Sequence, residues 1–233
     1  MLAQPVPLTP EQHKDLRVKP ELATEILADR HLAPLMLQEF STAAAFYPIF
    51  FLKTSETAEE YNAVTVFGLK EGQNLFMQDG KWTGEYLPAN LRSYPFTLVP
   101  ADNDQLILCI NEQSDNVSRT EGNALFTDEG KPTEFLEGIN KYFGDFIDAN
   151  NVSRNVTAQL VEFGLMKPEG LTYHDKAGTE RRVQGFYVID REKFDKLTDE
   201  QFLTLRKLGV LAAIYAHFAS LERISRLIER LPA

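Results

Sequence analysis

The chain has one cysteine, Cys109, so it cannot close an intramolecular disulfide. That usage fits a reducing compartment. Cys109 sits inside Leu106-Ile107-Leu108-Cys109-Ile110, an apolar strand-like run. A reactive thiolate needs an exposed, electropositive setting, so this cysteine reads as buried and structural. The chain also lacks apolar runs of the roughly 18–20 residues that a membrane span needs. Its start, Met1-Leu2-Ala3-Gln4-Pro5-Val6-Pro7, has neither the basic residues nor the apolar stretch of a signal peptide. A cytoplasmic location follows as the expectation, and the sequons at Asn116, Asn151 and Asn155 read as chance. Excess positive charge is missing too. The net charge is −10, which argues against nucleic acid as the main partner and against an anionic membrane surface.

Reactive groups are sparse. The four histidines, His13, His31, His174 and His217, are scattered with no pair at i, i+4 and no cysteine nearby. Zinc needs three or four convergent ligands, so no metal and no cofactor is expected. The stretch Gly68-Leu69-Lys70-Glu71-Gly72 is neither a P-loop nor a dinucleotide fingerprint, and reads as a strand followed by a turn. Asp79 and Asp128 read as turn formers rather than an acid–base pair. Two basic groupings stand out, Arg181-Arg182 and the trio Arg223, Arg226 and Arg230 on one helix. Both read as solvated charge.

What is present is a mixed α+β pattern. Hydrophobic residues make up 43% of the chain, with sixteen Phe and eight Tyr, enough to fill a sizeable core. One domain over 1–233 is expected, with an N-terminal arm at 1–20, a strand-rich region at 21–131 and a helix-rich region at 132–233. Thr9-Pro10-Glu11-Gln12 has capping-box spacing with Pro at the first helical position. Residues 21–46 read as helical, with a break at Pro34. Short apolar runs at 47–52, 64–69, 94–99 and 106–110 read as strands, and Gln78-Asp79-Gly80-Lys81 as a hairpin turn. Phe135, Leu136, Ile139, Tyr142, Phe143, Phe146 and Ile147 make a helical stripe. Asn150-Asn151 mark a break or bend, after which the helical pattern resumes. Residues 171–189 read as a hairpin around Asp175-Lys176-Ala177-Gly178. Thr198-Asp199-Glu200-Gln201 is a second capping box, and a final helix is predicted over 210–230. Val210, Ile214, His217, Leu221, Ile224, Ile228 and Leu231 step 4, 3, 4, 3, 4, 3 along it, a coiled-coil-like seam that leaves a homodimer open.

The strand-rich region contains an internal repeat, about 32–81 and 87–131. Tyr47-Pro48 recurs as Tyr94-Pro95, a spacing of 47, and Leu75-Phe76 recurs as Leu125-Phe126, a spacing of 50. Each copy runs from a Tyr-Pro lead-in through two strands to a Leu-Phe strand and a tight turn. Proline suits a strand start because it cannot donate to a ladder. Neither copy alone has much sheet, so the two are expected to pair, and the antiparallel sheet is expected to pack against the C-terminal helices.

A family resemblance runs through the same residues. Asp15-Leu16-Arg17-Val18, Tyr47-Pro48-Ile49, the run Gly68 to Phe76, Gly80-Lys81-Trp82, Tyr86-Leu87-Pro88-Ala89 and Tyr94-Pro95-Phe96 are its first half. Leu125 to Gly130, Gln184 to Asp190, Leu208 to Leu211 and Ala216 to Leu221 are its second. No single motif is specific, but their collinear order resembles the SapC family. The resemblance implies association with bacterial surface-layer and export systems. It also implies genes beside outer-membrane TonB-dependent receptors, oxygen- and iron-dependent hydroxylases and flavin-dependent halogenase-like proteins. It supplies no catalytic residues to carry over. A peptide-permease label borne by some members conflicts with the absence of membrane spans.

The leading expectation is therefore a non-enzymatic accessory protein acting by protein or peptide binding. An auxiliary subunit of a hydroxylase or halogenase, and a structural surface-layer subunit, are the alternatives. Trp82, Tyr86 and Tyr94 flank turns and prolines, and exposed Trp and Tyr are preferred interface anchors. These three, with Arg92 at the rim, form the expected binding surface. His217 is either a satisfied core histidine or a pH-sensitive contact in the seam.

Overall fold

Each Tyr-Pro pair leads into an antiparallel hairpin. Strands are numbered in chain order. After Tyr47-Pro48, β4 (Ile49–Lys53) pairs with β5 (Tyr61–Val66), from Ile49 opposite Thr65 to Lys53 opposite Tyr61. After Tyr94-Pro95, joined by a cis peptide bond, β8 (Phe96–Pro100) pairs with β9 (Leu106–Ile110), from Phe96 opposite Ile110 to Pro100 opposite Leu106. Each copy also ends in a turn. In the first, β6 (Met77–Gln78) and β7 (Lys81–Trp82) flank Asp79 and Gly80, whose φ angles are 49° and 73°. Two consecutive positive φ values are the signature of a type I′ turn, which matches the twist of a hairpin. In the second, Thr127 N–H donates to the Lys131 carbonyl at 2.8 Å and Gly130 has φ 78°.

Among the described residues the hairpins of the two copies belong to different sheets, contrary to the expectation from the repeat. Each hairpin completes its sheet from elsewhere in the chain. The computed structural model describes residues 4–101 and 105–232, and within them the chain divides into two compact units. The first three residues of the expected N-terminal arm lie outside the described residues.

The first unit joins Met1–Leu27 to Ala89–Asp148. Here β1 (Val6–Pro7) pairs with β9 to give the order β1-β9-β8. A second small sheet places β2 (Arg17–Val18) between β10 (Val117–Ser118) and β11 (Asn123–Ala124). Helices α1 (Pro10–His13) and α3 (Ala89–Arg92) are single turns. The predicted capping box at Thr9 is not made: the Thr9 N–H donates instead to His13 Nδ1 at 3.1 Å. The core gathers Leu16, Val18, Phe96, Ile110, Leu125, Phe126, Leu136 and Phe143. The last two come from the predicted stripe on α4 (Glu134–Glu162). That helix runs unbroken through Asn150-Asn151, where a break was expected.

The second unit joins Ala28–Pro88 to Ala149–Ala233. Its sheet has the order β12-β13-β4-β5-β3, all antiparallel, built from β12 (Met166–His174), β13 (Glu180–Ile189) and β3 (Leu32–Pro34). The β12–β13 hairpin turns at Asp175, as read from the sequence, but begins five residues earlier. Residues 21–46 are not the predicted helix. They make short 3₁₀ turns at Thr24–Ile26 and Leu37–Glu39, the strand β3 and one turn of α2 (Phe40–Ala43). Pro34 explains the difference, because it disfavours a helix before it and fits the edge strand that Leu32–Pro34 becomes.

Helices α5 (Arg191–Phe194), α6 (Asp199–Lys207), α7 (Leu211–Ser220) and α8 (Arg223–Glu229) complete the unit. The Thr198 capping box opens α6, with Thr198 Oγ1 accepting from Gln201 N–H. Helix α7 packs against β4, β13 and α2. The predicted final helix is interrupted at Leu221-Glu222. Just before the break, Ser220 Oγ donates to the His217 carbonyl at 2.7 Å and accepts from Ile49 N–H at 3.1 Å. Serine hydroxyls that bond backbone in this way compete with helix continuation. The fold is α+β, with antiparallel sheets and C-terminal helices. No single helix among the described residues is long and apolar enough to cross a membrane.

Candidate functional site

Four aromatic rings of the second unit pack into one cluster. β5 delivers Phe67 just past its end, and the β6–β7 hairpin folds Trp82 back over it. Tyr47 meets Phe76 edge-on at 4.8 Å and Phe67 at 5.1 Å, and Phe67 meets Trp82 at 5.1 Å. Such edge-to-face pairs add roughly 0.5–1.5 kcal/mol each beyond their buried area. Burial pushes the Tyr47 phenol up to about 12. Its hydroxyl donates to the Tyr86 carbonyl at 2.6 Å and accepts from the Tyr86 N–H at 3.2 Å. Tyr86 in turn donates its hydroxyl to Glu39 Oε1 at 2.6 Å, while Glu39 Oε2 accepts from Met36 N–H at 3.0 Å. These bonds fix the segment 83–86. Gly84 is required there, because a Cβ would collide with the Trp82 ring and the Tyr47 hydroxyl.

That fixed segment forms one wall of a half-open cleft of about 440 Å³. Thr83, Gly84 and Glu85 face it, with Phe76 beside them, and Ala45, Phe46 and Pro48 contribute the apolar floor. The opposite wall is α8. Leu227 is buried and anchors the helix, while Arg223, Arg226 and Arg230 line the cleft with Glu229. Positions i, i+3 and i+7 share a helical face, so α8 and its C-capping residue Arg230 present all three guanidiniums. Arg230 stacks on the Phe76 ring at 4.4 Å, and Arg223 Nε donates to the Ala44 carbonyl at 3.4 Å. Arg226 pairs with Glu229 at 3.4 Å, an exposed i,i+3 contact. Three arginines against Glu85 and Glu229 leave the cleft cationic in a chain of net charge −10. The cleft's size falls in the range of small-ligand and peptide side-chain pockets, about 300–1,000 Å³.

Of the residues expected from sequence, Trp82 and Tyr86 are half-buried beside this cleft, in the second unit. Arg92 and Tyr94 belong to the first unit. Arg92 is exposed on α3, and the Tyr94 hydroxyl accepts from Asn111 Nδ2 at 2.8 Å, with burial raising its phenol. His217 is fully buried on α7. Its Nε2 accepts from Ile189 N–H at 3.0 Å, and its ring meets Phe51 at 5.4 Å and Phe218 at 5.8 Å. Burial lowers it to about 4, against a weaker opposing pull from the Ile49 backbone. Cys109 is buried and its thiol raised by that burial. Among the described residues, no three His, Cys, Asp or Glu side chains are placed to hold a metal.

The cleft itself was missed in the sequence reading. The arginine spacing on α8 was visible and read as solvated charge. The other wall, from Phe76 and Thr83 to Glu85, lies about 140 residues earlier, and nothing local joins the two. The SapC family model matches residues 8–227. The chain belongs to the SapC family. The SapC match covers most of both units and all of the cleft except Glu229 and Arg230. No curated protein and no solved structure matches this SapC chain.

Proposed function

We propose that this SapC protein is a non-enzymatic binding protein that takes a segment of a partner protein or peptide in the α8 cleft. It serves the surface-layer or outer-membrane receptor systems with which its family is associated. The observation that carries the reading is the cleft's construction. Its walls are fixed before any partner arrives, by the Tyr47–Tyr86–Glu39 hydrogen bonds on one side and the stacked Arg230 on the other. Preorganised walls lower the entropy lost on binding. The lining combines arginine and aromatic groups, the residue types that dominate interface energetics, and Trp82 packs directly behind Phe76.

The test is photo-crosslinking in the native host, with a photoreactive residue at Thr83, an exposed cleft position, or at Lys176, exposed at the β12–β13 turn. One defined protein crosslinked from Thr83 and not from Lys176 is the expected result. The same set of proteins from both positions, or none from Thr83, overturns the proposal.

A further inference from the structure

We propose that the cleft recognises an acidic peptide segment through two of its side-chain carboxylates, one at Arg223 and one at Arg230. This rests on the cleft being the binding site. Arg226 is matched by Glu229, whereas neither Arg223 nor Arg230 forms an ion pair among the described residues. Both are nevertheless held in place. Arg223 is fixed by its bond to the Ala44 carbonyl and Arg230 by its stack on Phe76. A stacked guanidinium keeps its in-plane N–H groups for an acceptor, and its fork fits a carboxylate with two parallel bonds.

Spacing makes the inference specific. Seven residues of helix advance about 10 Å, so the two arginines mark opposite ends of the α8 wall. A polyproline II segment covers that distance in three residues at about 3.1 Å each, one full turn, which puts residues i and i+3 on the same face. The preferred ligand therefore carries acidic residues at i and i+3, with an apolar residue between them over Phe46 and Pro48. The local charge sets the ligand class. Glu85 and Glu229 oppose the dense charge of a phosphate or a nucleic-acid backbone more than that of single carboxylates. A cleft of this size also lacks the extended basic face that a polyanion requires.

Trp82 is the only tryptophan, and its ring lies 5.9 Å from that of Phe76, the platform under Arg230. Its fluorescence therefore reports on the cleft. Four probes are titrated: an acetylated, amidated Glu-Ala-Phe-Glu peptide, its Gln-Ala-Phe-Gln analogue, a neutral peptide of the same length with a free C-terminus, and inorganic phosphate. The diglutamate peptide is expected to bind saturably, and the diglutamine peptide at least tenfold more weakly. Arg223→Gln and Arg230→Gln each weaken the diglutamate peptide three- to tenfold, and Arg226→Gln less than twofold, with unchanged circular dichroism. Equal binding of the diglutamine peptide, tighter binding of phosphate or of the free C-terminus, no binding of any probe, or indifference to both arginine variants overturns the inference. If the Thr83 crosslink still captures its partner in those cases, the binding site stands and only its carboxylate chemistry fails.

Discussion

His217 sets a pH dependence that belongs to one side chain. It is neutral in the fold because burial holds it at about 4, whereas an exposed histidine titrates near 6.5. The unfolded chain therefore binds a proton that the folded chain refuses in the interval between those values. Stability is fully present above the unfolded value and falls as pH drops through that window. The slope is about 1.4 kcal/mol per pH unit, and the whole effect is on the order of 3 kcal/mol. Urea unfolding at pH 7.5 and pH 5.0 measures it. His217→Gln keeps an acceptor for the Ile189 N–H and removes the titrating group, so its loss between those pH values is smaller than that of the native chain. An identical loss contradicts the assignment. Gly84 makes a second prediction at this scale. Gly84→Ala drives a methyl against the Trp82 ring and the Tyr47 hydroxyl, and costs about 1–3 kcal/mol with a shifted Trp82 emission. The residues that carry these effects were visible in the sequence, but their roles were not. His217 lay on a regular apolar series, and only the packing of Phe51 and Phe218 against it separates a core position from an exposed seam.

At the scale of elements, local chemistry was legible and partnership was not. The Thr198 capping box, the Asp79-Gly80 turn, the α4 stripe and the hairpin around Asp175 form where the sequence put them, because each is decided within a few residues. Residues 21–46 were misread because Leu32–Pro34 becomes a strand only by pairing with β5, a contact that no helical periodicity reveals. The repeat was legible as two hairpins with two turns. Its pairing was misjudged because β3 and β13 complete one hairpin and β1 the other. The break between α7 and α8 is a tertiary effect as well. Ser220 accepts from the Ile49 N–H at the start of β4, so Ser220→Ala leaves a buried backbone donor without its acceptor. The expected cost is about 1–3 kcal/mol in chemical denaturation, with the largest gain in amide exchange at Ile49.

At the scale of the molecule, the sequence bounded the protein more firmly than it located a site. Strand-like apolar runs and helical stripes predicted an α+β chain, and collinear motifs pointed to the SapC family. The two units interleave along the chain, so the walls of the α8 cleft come from segments far apart in sequence. Of the expected surface, Trp82 and Tyr86 lie in the unit that holds the cleft, whereas Tyr94 and Arg92 belong to the other unit. A net charge of −10 concealed a local cationic groove, because a total says nothing of placement. The central proposal is that Arg223 and Arg230 hold the partner in this groove. It is tested most directly by quantifying the crosslink from Thr83 in the native host, with α8 intact and with Arg223→Gln and Arg230→Gln together. The partner's yield is expected to fall at least tenfold while protein level and fold are unchanged. An undiminished yield from the double variant contradicts it.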